Sequence, residues 1–350
     1  MPYLMAFLGV TLAIWVLRPF ALRVGLADLP GGRRQHADAV PLVGGVAIAL
    51  GLAVALALRG SLAPASPALL AAGLIVSVAG VVDDFIELSA RAKLMFQMIA
   101  ASVLAAFGGV LVLHVGALFS PAAVTLGVMT VVPFTLLGMV GVMNAINMID
   151  GADGLAGGVA LTALLWFGTA AWLAGLASHV SLIGLFGCAV AAYLCFNAGG
   201  PLTRRYKVFL GDAGSLLAGL LLAWLAITLT MEPHAALKPV TAVWILAVPI
   251  GDSVSLMLRR VLCGRSPFKP DREHLHHLLQ DAGFTSAQAV ALLVAINLLL
   301  GGLALLAGRM QVPEHWMFYL SMLIFAGYTI YSARFFARRR AQATLPVTRR

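Results

Sequence analysis

The segment from residue 121 to residue 155 decides the fold class: it reads PAAVTLGVMTVVPFTLLGMVGV, followed by MNAINMIDGADGL. Its first part carries no charged side chain, and about 20 apolar residues suffice for a helix that spans a bilayer. Its second part places two amides and two carboxylates at three-residue intervals. The segment therefore predicts a membrane-spanning helix that ends in a polar cluster.

The whole chain has the same character. Of its 350 residues, 61% are hydrophobic and 11% are charged, with a mean hydropathy of +0.98. Soluble domains carry roughly 25% charged residues, so this composition excludes a soluble protein and predicts an all-α polytopic membrane protein. The three cysteines form no CxxC pair, which argues against a disulfide scaffold and a thiolate zinc site.

Eleven apolar stretches separated by Gly, Pro and charged residues predict about eleven transmembrane helices. We assign residues 1–337 to one integral membrane domain and residues 338–350 to a basic cytoplasmic tail. The stretches are 3–22, 42–59, 67–84, 93–113, 121–142, 155–176, 180–197, 213–231, 239–258, 286–307 and 314–336.

Basic residues sort the loops between the two sides of the membrane. Twenty of the 23 Lys and Arg fall on one side; only Arg59, Lys238 and Arg309 fall on the other. Cytoplasmic loops carry the basic excess, so we predict a periplasmic N-terminus and a cytoplasmic C-terminus. The same rule accounts for the net charge of +9, and no nucleic-acid partner is expected. Twelve of the 14 acidic residues fall on the cytoplasmic side too, which places the predicted active site there.

The first acidic cluster is Asp83-Asp84, at the end of the third stretch. Adjacent carboxylates repel each other, and such a pair persists most easily when it shares a cation or a proton. A solvated helix end is the alternative interpretation.

The second cluster contains Asn144, Asn147, Asp150 and Asp153. Three-residue spacing puts these side chains on one helical face. Helix capping needs one such residue rather than four, which favours a binding site. An EF-hand is not indicated, because the loop lacks its twelfth-position Glu.

The third cluster, Gly211-Asp212-Ala-Gly214-Ser215, precedes the eighth stretch. It fits either an N-cap or a metal-binding carboxylate beside backbone N–H groups that attract phosphate. We favour the second interpretation, because this cluster shares its side of the membrane with the others.

The longest polar loop contains Arg265, His274, His276 and His277. A zinc protease would need HExxH, which the sequence lacks. A solvated turn is possible on composition alone, but a cation-rich loop that binds phosphate oxygens fits better.

Together the clusters predict Mg²⁺ and phosphate chemistry at the cytoplasmic interface. Mg²⁺ is usually held by one or two carboxylates plus substrate phosphates. The sequence contains neither a P-loop nor a GxGxxG motif. The pattern therefore favours phosphoryl transfer between a soluble donor and a lipid acceptor.

From Pro41 to Phe284 the sequence resembles the polyprenyl-phosphate N-acetylhexosamine-1-phosphate transferases. The matching features, in order, are Pro41-Leu-Val-Gly44-Gly45, Asp83-Asp84, the 144–155 run, Gly211–Ser215 and the histidine loop. The loop 266–278, SPFKPDREHLHHL, resembles the WecA-type branch, because Leu275 interrupts the three consecutive histidines of the peptidoglycan branch.

The resemblance implies UDP-GlcNAc as donor and undecaprenyl phosphate as acceptor, with undecaprenyl-diphospho-GlcNAc and UMP as products. It implies a bacterial inner-membrane enzyme that starts O-antigen or related polysaccharide synthesis with Mg²⁺, or alternatively Mn²⁺. Two alternatives to this reaction stay open: another UDP-N-acetylhexosamine as donor, and the reaction of a phospho-MurNAc-pentapeptide transferase. A homodimer is also possible within this family. A membrane transporter is the non-enzyme alternative, but it would place polar residues at the bilayer midplane.

The resemblance also implies residue roles. Asp212 and Asn147 match the metal-binding residues, Asp83 matches the base or orienting group for the lipid phosphate, and Asp84 supports the metal or the diphosphate. The candidate catalytic residues are Asp83, Asp84, Asp212 and His274. The candidate substrate-binding residues are Lys93, Asn144, Asn147, Asp150, Asp153, Asn197, Arg265, His276 and His277.

Two questions remain open at the level of sequence. One-step in-line attack by the lipid phosphate is preferred over a covalent Asp intermediate, because a phosphate oxygen is already a nucleophile. Asp252, inside the ninth stretch, is either part of the site or a buried partner of an arginine.

Overall fold

A computed structural model describes residues 1–29, 39–59, 64–200, 205–266 and 273–343. Over these ranges the chain consists of helices joined by loops and turns, with a two-stranded antiparallel sheet that pairs Ala27 with Pro41 and Asp28 with Val40. The elements are α1 (Pro2–Val24), β1 (Ala27–Asp28), β2 (Val40–Pro41), α2 (Gly44–Arg59), α3 (Pro67–Ile86), α4 (Ala90–Gly108), α5 (Val128–Ile149), α6 (Leu155–Leu173), α7 (Ala177–Asn197), α8 (Gly211–Thr228), α9 (Pro239–Ile245), α10 (Ala247–Leu262), α11 (Leu275–Asp281), α12 (Ser286–Arg309) and α13 (Glu314–Ala343).

The helical membrane architecture is confirmed. Within the described ranges, nine helices are long and apolar enough to cross a membrane, and the bent pair α9–α10 would make a tenth. The predicted number of eleven is reached only if α2, which has 16 residues, also counts as a span.

The fifth predicted stretch lies seven residues too early. Residues 121–127 are not helical; instead Val115 N–H donates to Val124 O (2.9 Å) and Val124 N–H donates to Gly116 O (2.8 Å). Apolar character alone cannot separate such a loop from a helix. Helix α5 begins at Val128 and ends at Ile149, so Asn144 and Asn147 lie inside its last turns.

The C-terminal helix extends beyond its predicted end. Residues 338–343, assigned to the basic tail, continue α13. Residues 344–350 of that tail lie outside the described part of the chain.

Helix α8 is the most buried span and packs against α2, α3 and α5. A Cβ on Gly45 would lie 2.1 Å from Gly214 N, and one on Gly80 would lie 2.3 Å from the Cα of Ala213. Small residues let membrane helices approach this closely. Gly45 and Gly80 therefore bring α2 and α3 against the beginning of α8, where Asp212 lies.

The α9–α10 pair bends by 82°, and Asn297 of α12 satisfies the backbone at the bend. Pro249 has no N–H to donate to Ile245 O, and Asn297 Nδ2 donates to that carbonyl instead (3.2 Å). Asn297 Oδ1 accepts from Val248 N–H (3.4 Å), and its Nδ2 also donates to Thr162 Oγ1 (2.9 Å). Unsatisfied backbone groups are costly at membrane depth, so Asn297 makes the break tolerable.

Candidate functional site

A cavity of about 1110 Å³ opens at one end of the helical bundle. The C-terminal ends of α3, α5 and α7 and the N-terminal ends of α4 and α8 contribute to its wall. The structure thus brings together the Asp83-Asp84 pair, most of the second cluster and the third cluster. The predicted site residues that line it are Asp83, Asp84, Lys93, Asn147, Asp150, Asp153, Asn197, Asp212 and His277.

Asp212 is placed by backbone pairing and by a glycine. Phe209 N–H donates to Pro41 O (2.9 Å), and Gly44 and Gly45 N–H donate to Phe209 O and Leu210 O (2.9 and 2.8 Å). Gly211 follows with φ +70°, a conformation that L side chains rarely adopt. A Cβ there would also lie 2.5 Å from Asp84 Oδ2. The GG and GDAG motifs are therefore packed against each other.

The two carboxylates of the first cluster have different surroundings. Asp83 is buried, its Oδ1 accepts from Leu88 N–H (2.6 Å), and it forms an ion pair with Lys93. Asp84 Oδ1 accepts from the Asp212 N–H (2.9 Å). Asp84 thus binds the backbone at the beginning of α8, whereas Asp83 is paired with the ammonium of Lys93.

Lys93 lies between Asp83 and Asp212, and its Nζ is 2.9 Å from Asp212 Oδ2. On the other side of Asp212, Asn147 Nδ2 donates to Asp212 Oδ1 (2.8 Å) and to Ser215 Oγ (2.9 Å). Turning this amide over would present its oxygen at the same place. Asp212 is therefore the centre of a group of carboxylate, amide and hydroxyl oxygens.

This donor set fits a hard divalent cation. In the described part of the chain no three His, Cys, Asp or Glu side chains converge on one point, which argues against an all-protein metal cage. Mg²⁺ needs only one or two carboxylates when substrate phosphates complete its coordination. The ammonium of Lys93 already occupies a position favourable for a cation, between Asp83 and Asp212. Asp212 and Asn147 could hold such an ion.

The remaining carboxylates line the neighbouring wall. Burial, followed by the negative charges of Asp212, Asp84 and Asp153, raises the pKa of Asp150 to about 8. Although part of the Asp150 side chain is exposed to the cavity, protein atoms displace much of the water around its carboxyl. Asp153 is paired with Lys207, whose Nζ lies 2.5 Å from its Oδ2. A cation or a protonated group near Asp150 would relieve this accumulation of negative charge.

Asn197 is buried and connects three segments of the wall. Its Oδ1 accepts from Gly154 N–H (2.6 Å), and its Nδ2 donates to Val208 O (3.0 Å). Asn197 therefore joins the end of α7 to the turn at residues 150–154 and to Val208, which precedes Asp212 in the chain.

The histidine loop reaches the cavity only in part. His277 lines it, whereas the buried His276 packs over Gly151, where a Cβ would lie 2.8 Å from the imidazole. His274 is buried against Asp252, and Arg265 is largely exposed, 3.9 Å from the Glu273 carboxylate. The cavity wall does not include His276, His274 or Arg265. Residues 267–272 of the loop lie outside the described part of the chain.

Asn144 also differs from its expected position. It exchanges hydrogen bonds with Gln97 of α4 (2.7 and 3.2 Å) and does not line the cavity. Its helical face is shared with Asn147, but it lies one turn deeper in the bundle. The prediction of one helical face holds for Asn144 and Asn147 only, because α5 ends at Ile149 and Asp150 and Asp153 lie in the turn that follows it. The spacing could not indicate the depth of Asn144.

Sequence reasoning missed several polar residues of the cavity wall and of its surroundings. Lys207 and Gln280 line the cavity, and Tyr328 of α13 donates to Asp252 Oδ1 (2.7 Å). Lys207 lies four residues before Gly211 in the chain, so its proximity to the site could have been suspected. No local pattern marks Tyr328, since its partner is 76 residues away.

Comparisons with known proteins place the chain in a family. A family model described as "Glycosyl transferase family 4" matches residues 66–230. The chain is 37% identical over 325 residues to the undecaprenyl-phosphate alpha-N-acetylglucosaminyl 1-phosphate transferases of Salmonella typhi and Escherichia coli K12, covering 91% of this chain and 87% of each relative. It is 33% identical to the protein of that name from Haemophilus influenzae, covering 93% of this chain and 91% of the relative.

Proposed function

The chain belongs to glycosyl transferase family 4, and on that premise we propose that it transfers GlcNAc-1-phosphate from UDP-GlcNAc to undecaprenyl phosphate. A lipid phosphate oxygen forms a bond to the β-phosphorus of the donor, and the bond from that phosphorus to the bridging oxygen breaks. The products are undecaprenyl-diphospho-GlcNAc and UMP.

The observation that carries this proposal is the 37% identity over 91% of the chain to bacterial transferases named for that reaction. The cavity supports it, because carboxylates, an amide and a lysine from α3, α4, α5 and α8 converge there. A transporter gains no support from this arrangement, which gathers the polar groups at one end of the bundle. The enzyme is a multi-pass membrane protein, and its relatives are bacterial.

The acceptor phosphate is proposed to bind near Lys93. Lys93 is the basic residue closest to Asp212, so it can hold a phosphate dianion that enters beside Asp83. Asp83 would orient that phosphate or take its proton. Catalysis in phosphoryl transfer comes mainly from positioning and charge neutralisation, so no covalent Asp intermediate is required.

The metal is proposed to be Mg²⁺, with Mn²⁺ as an alternative. Asp212 and Asn147 would hold it, and it would supply charge neutralisation at the diphosphate of the donor. Asp84 acts on this site through the backbone N–H of Asp212.

The donor is proposed to occupy the wall formed by Asp150, Asp153 and Asn197. The diphosphate of a nucleotide sugar is negatively charged and would be repelled by the carboxylates of this wall. Lys207 and the metal would balance that repulsion with their positive charges. His277 and Gln280 lie on the same wall and can donate hydrogen bonds to phosphate or sugar oxygens.

The orientation is also a proposal. The cavity opens where the predicted cytoplasmic loops lie, at residues 84–93, 150–155 and 205–211. Twenty of the 23 Lys and Arg belong to that side of the chain. The active site would therefore face the cytoplasm of a bacterium, where UDP-sugars are available.

Donor specificity tests the proposal directly. Purified enzyme with Mg²⁺ and undecaprenyl phosphate is given radiolabelled UDP-GlcNAc, UDP-GalNAc or UDP-MurNAc-pentapeptide in separate reactions. We expect labelled lipid and UMP with UDP-GlcNAc, and at least tenfold lower kcat/KM with the other donors. Preference for another UDP-sugar would retain the chemistry and replace the donor; no transfer from any of them would overturn the proposed function.

A further inference from the structure

Asp252 of α10 is a buried carboxylate, 2% exposed, that belongs to no part of the cavity wall. It accepts three hydrogen bonds, two from adjacent residues at the start of α11 and one from α13. His274 Nδ1 lies 2.9 Å from its Oδ2, Leu275 N–H donates to its Oδ1 (2.9 Å), and the Tyr328 hydroxyl donates to the same oxygen (2.7 Å). Its partners are thus an imidazole and a tyrosine rather than an arginine.

Arg259 repeats this pattern two turns further along α10. Its Nη2 donates to the Glu273 carbonyl (2.8 Å), and its Nη1 lies 3.9 Å from the Glu273 carboxylate. The Arg259 guanidinium lies over the ring of Phe336, 5.1 Å from the centroid. Asp252 and Arg259 therefore each hold the Glu273–Leu275 segment on one side and contact α13 on the other.

The held segment leads directly into α11. That helix has seven residues, too few to be stable by its own hydrogen bonds, so its position depends on its attachments. Asp252 accepts the N–H of its first residue, Leu275, one of the N–H groups at a helix start that have no partner within the helix. His277 and Gln280, further along α11, line the cavity.

We propose that Asp252 and Tyr328 are positioning residues of the transferase: together they fix the Glu273–Leu275 segment, and thereby place His277 and Gln280 in the active-site cavity. This inference rests on the proposed function. It assigns a catalytic consequence to α13, which lies outside the residues 66–230 that the family model matches.

The physical argument is one of pairing in the protein interior. A carboxylate that is only 2% exposed is costly unless it is paired and hydrogen-bonded, so the loss of one of the three bonds weakens the other two. With Nδ1–H directed at Asp252, the carboxylate also fixes the ring orientation and tautomer of His274, as carboxylates do for histidines in other sites. Replacing the carboxylate by an amide would point an N–H at Nδ1 and reverse that tautomer.

The test compares Tyr328→Phe with Tyr331→Phe. Tyr331 lies on the same helix, is 59% exposed and touches neither Asp252 nor the cavity, which makes it a matched control. We expect Tyr328→Phe to lower kcat roughly tenfold, the scale of one hydrogen bond to a charged group. KM for undecaprenyl phosphate should stay within about threefold, since the lipid phosphate is proposed to bind near Lys93, whereas KM for UDP-GlcNAc should rise, because His277 and Gln280 lie on the donor wall. Tyr331→Phe should retain wild-type kcat.

Asp252→Asn tests the same link from its centre, with an expected loss of roughly a hundredfold or more in kcat, because one change disturbs three bonds. Hydrogen exchange followed by mass spectrometry supplies a readout that does not depend on turnover. In both variants, amides of residues 273–281 should exchange faster, while those of α3 and α8 keep their protection. The unfolding temperature of Tyr328→Phe should stay close to that of Tyr331→Phe.

The outcomes separate this inference from the function on which it rests. If wild-type enzyme transfers GlcNAc-1-phosphate but Tyr328→Phe matches the control in kcat, the inference is overturned and the function stands. A loss of kcat without faster exchange at 273–281 also overturns it, as does a loss that follows a general drop in unfolding temperature. If wild-type enzyme does not transfer, the proposed function fails and the inference fails with it.

Discussion

Lys93 Nζ lies 2.9 Å from Asp212 Oδ2, although 119 residues separate the two in the chain. Lys93 belongs to the first turns of α4 and Asp212 to the first turn of α8, and Asp83 reaches the same ammonium from α3. One cation thus balances two carboxylates at the point where the proposed metal and the acceptor phosphate meet.

Lys93→Met should show whether a divalent cation binds between Asp83 and Asp212. Without the ammonium, Asp83 and Asp212 repel each other, and a divalent cation then relieves more repulsion than in the wild type. We expect a larger rise in unfolding temperature on adding Mg²⁺ to Lys93→Met than to wild-type enzyme, together with a transfer rate at least tenfold lower. Arg91→Met, which removes a neighbouring charge outside the cavity wall, is the control. An Mg²⁺ response equal to that of the wild type would contradict the placement.

Asp212→Asn should abolish transfer and weaken the dependence on Mg²⁺. A neutral amide cannot balance the charge of the cation, and it also loses the ion pair with Lys93. Glu232→Gln, an exposed change at the other end of the bundle, should leave transfer unchanged. Full activity of Asp212→Asn, or undiminished wild-type transfer in EDTA, would remove Asp212 from the metal site.

Asp83→Asn distinguishes direct attack from a covalent pathway. General-base assistance typically contributes 10²–10⁴-fold, and the second pKa of a phosphate monoester is about 6. Most of the lipid phosphate is therefore dianionic at pH 8. The variant should keep a measurable rate that rises between pH 6 and pH 8, as deprotonated acceptor accumulates.

A nucleophilic Asp83 would behave differently. The amide would then remove the reaction path at every pH, and wild-type enzyme stripped of lipid would exchange labelled UMP into UDP-GlcNAc. We expect no such exchange; its detection would defeat the one-step mechanism and leave the family assignment intact.

Asn297→Leu should destabilise the protein at the bend between α9 and α10. It leaves Ile245 O and Val248 N–H without the side chain that now bonds both, at a cost of about 1–3 kcal/mol for each buried group. The measurement is the unfolding temperature in detergent. Adding Pro249→Ala to this variant should restore part of the loss, because the alanine brings a backbone N–H that can donate to Ile245 O. If the second change destabilises further, the bend is held by other forces.

The topology is tested with a reporter at the end of the chain and another in the turn between α12 and α13. We expect a fusion after Arg350 to read cytoplasmic, and an insertion between Gln311 and Glu314 to read periplasmic, because of the asymmetry in Lys and Arg. A periplasmic C-terminus would reverse the membrane orientation and move the cavity to the outer face.

The sequence by itself determined the helical membrane fold and indicated the residues of the candidate site. Uncharged stretches of bilayer length, such as the one before Asn144, have few alternatives in lipid, because only helices and closed barrels satisfy their backbone there. The GG, DD, NAINMIDGAD and GDAG motifs indicated the site because each concentrates polar or glycine residues where an apolar helix would not need them.

Tertiary structure decided which of these residues meet. Asn144 and Asn147 share one helical face, yet only Asn147 reaches Asp212, because the depth at which α5 packs against α4 and α8 is set by side chains far away in sequence. His276 turned inward onto Gly151 for the same reason, and Tyr328 reached Asp252 from the last helix. Periodicity fixes the direction of a side chain around its own helix axis. The residue that this side chain contacts depends on how the helices shift and tilt against one another. Close contacts between helices, such as that of Gly45 with Gly214, determine this packing, and they form only in the folded chain.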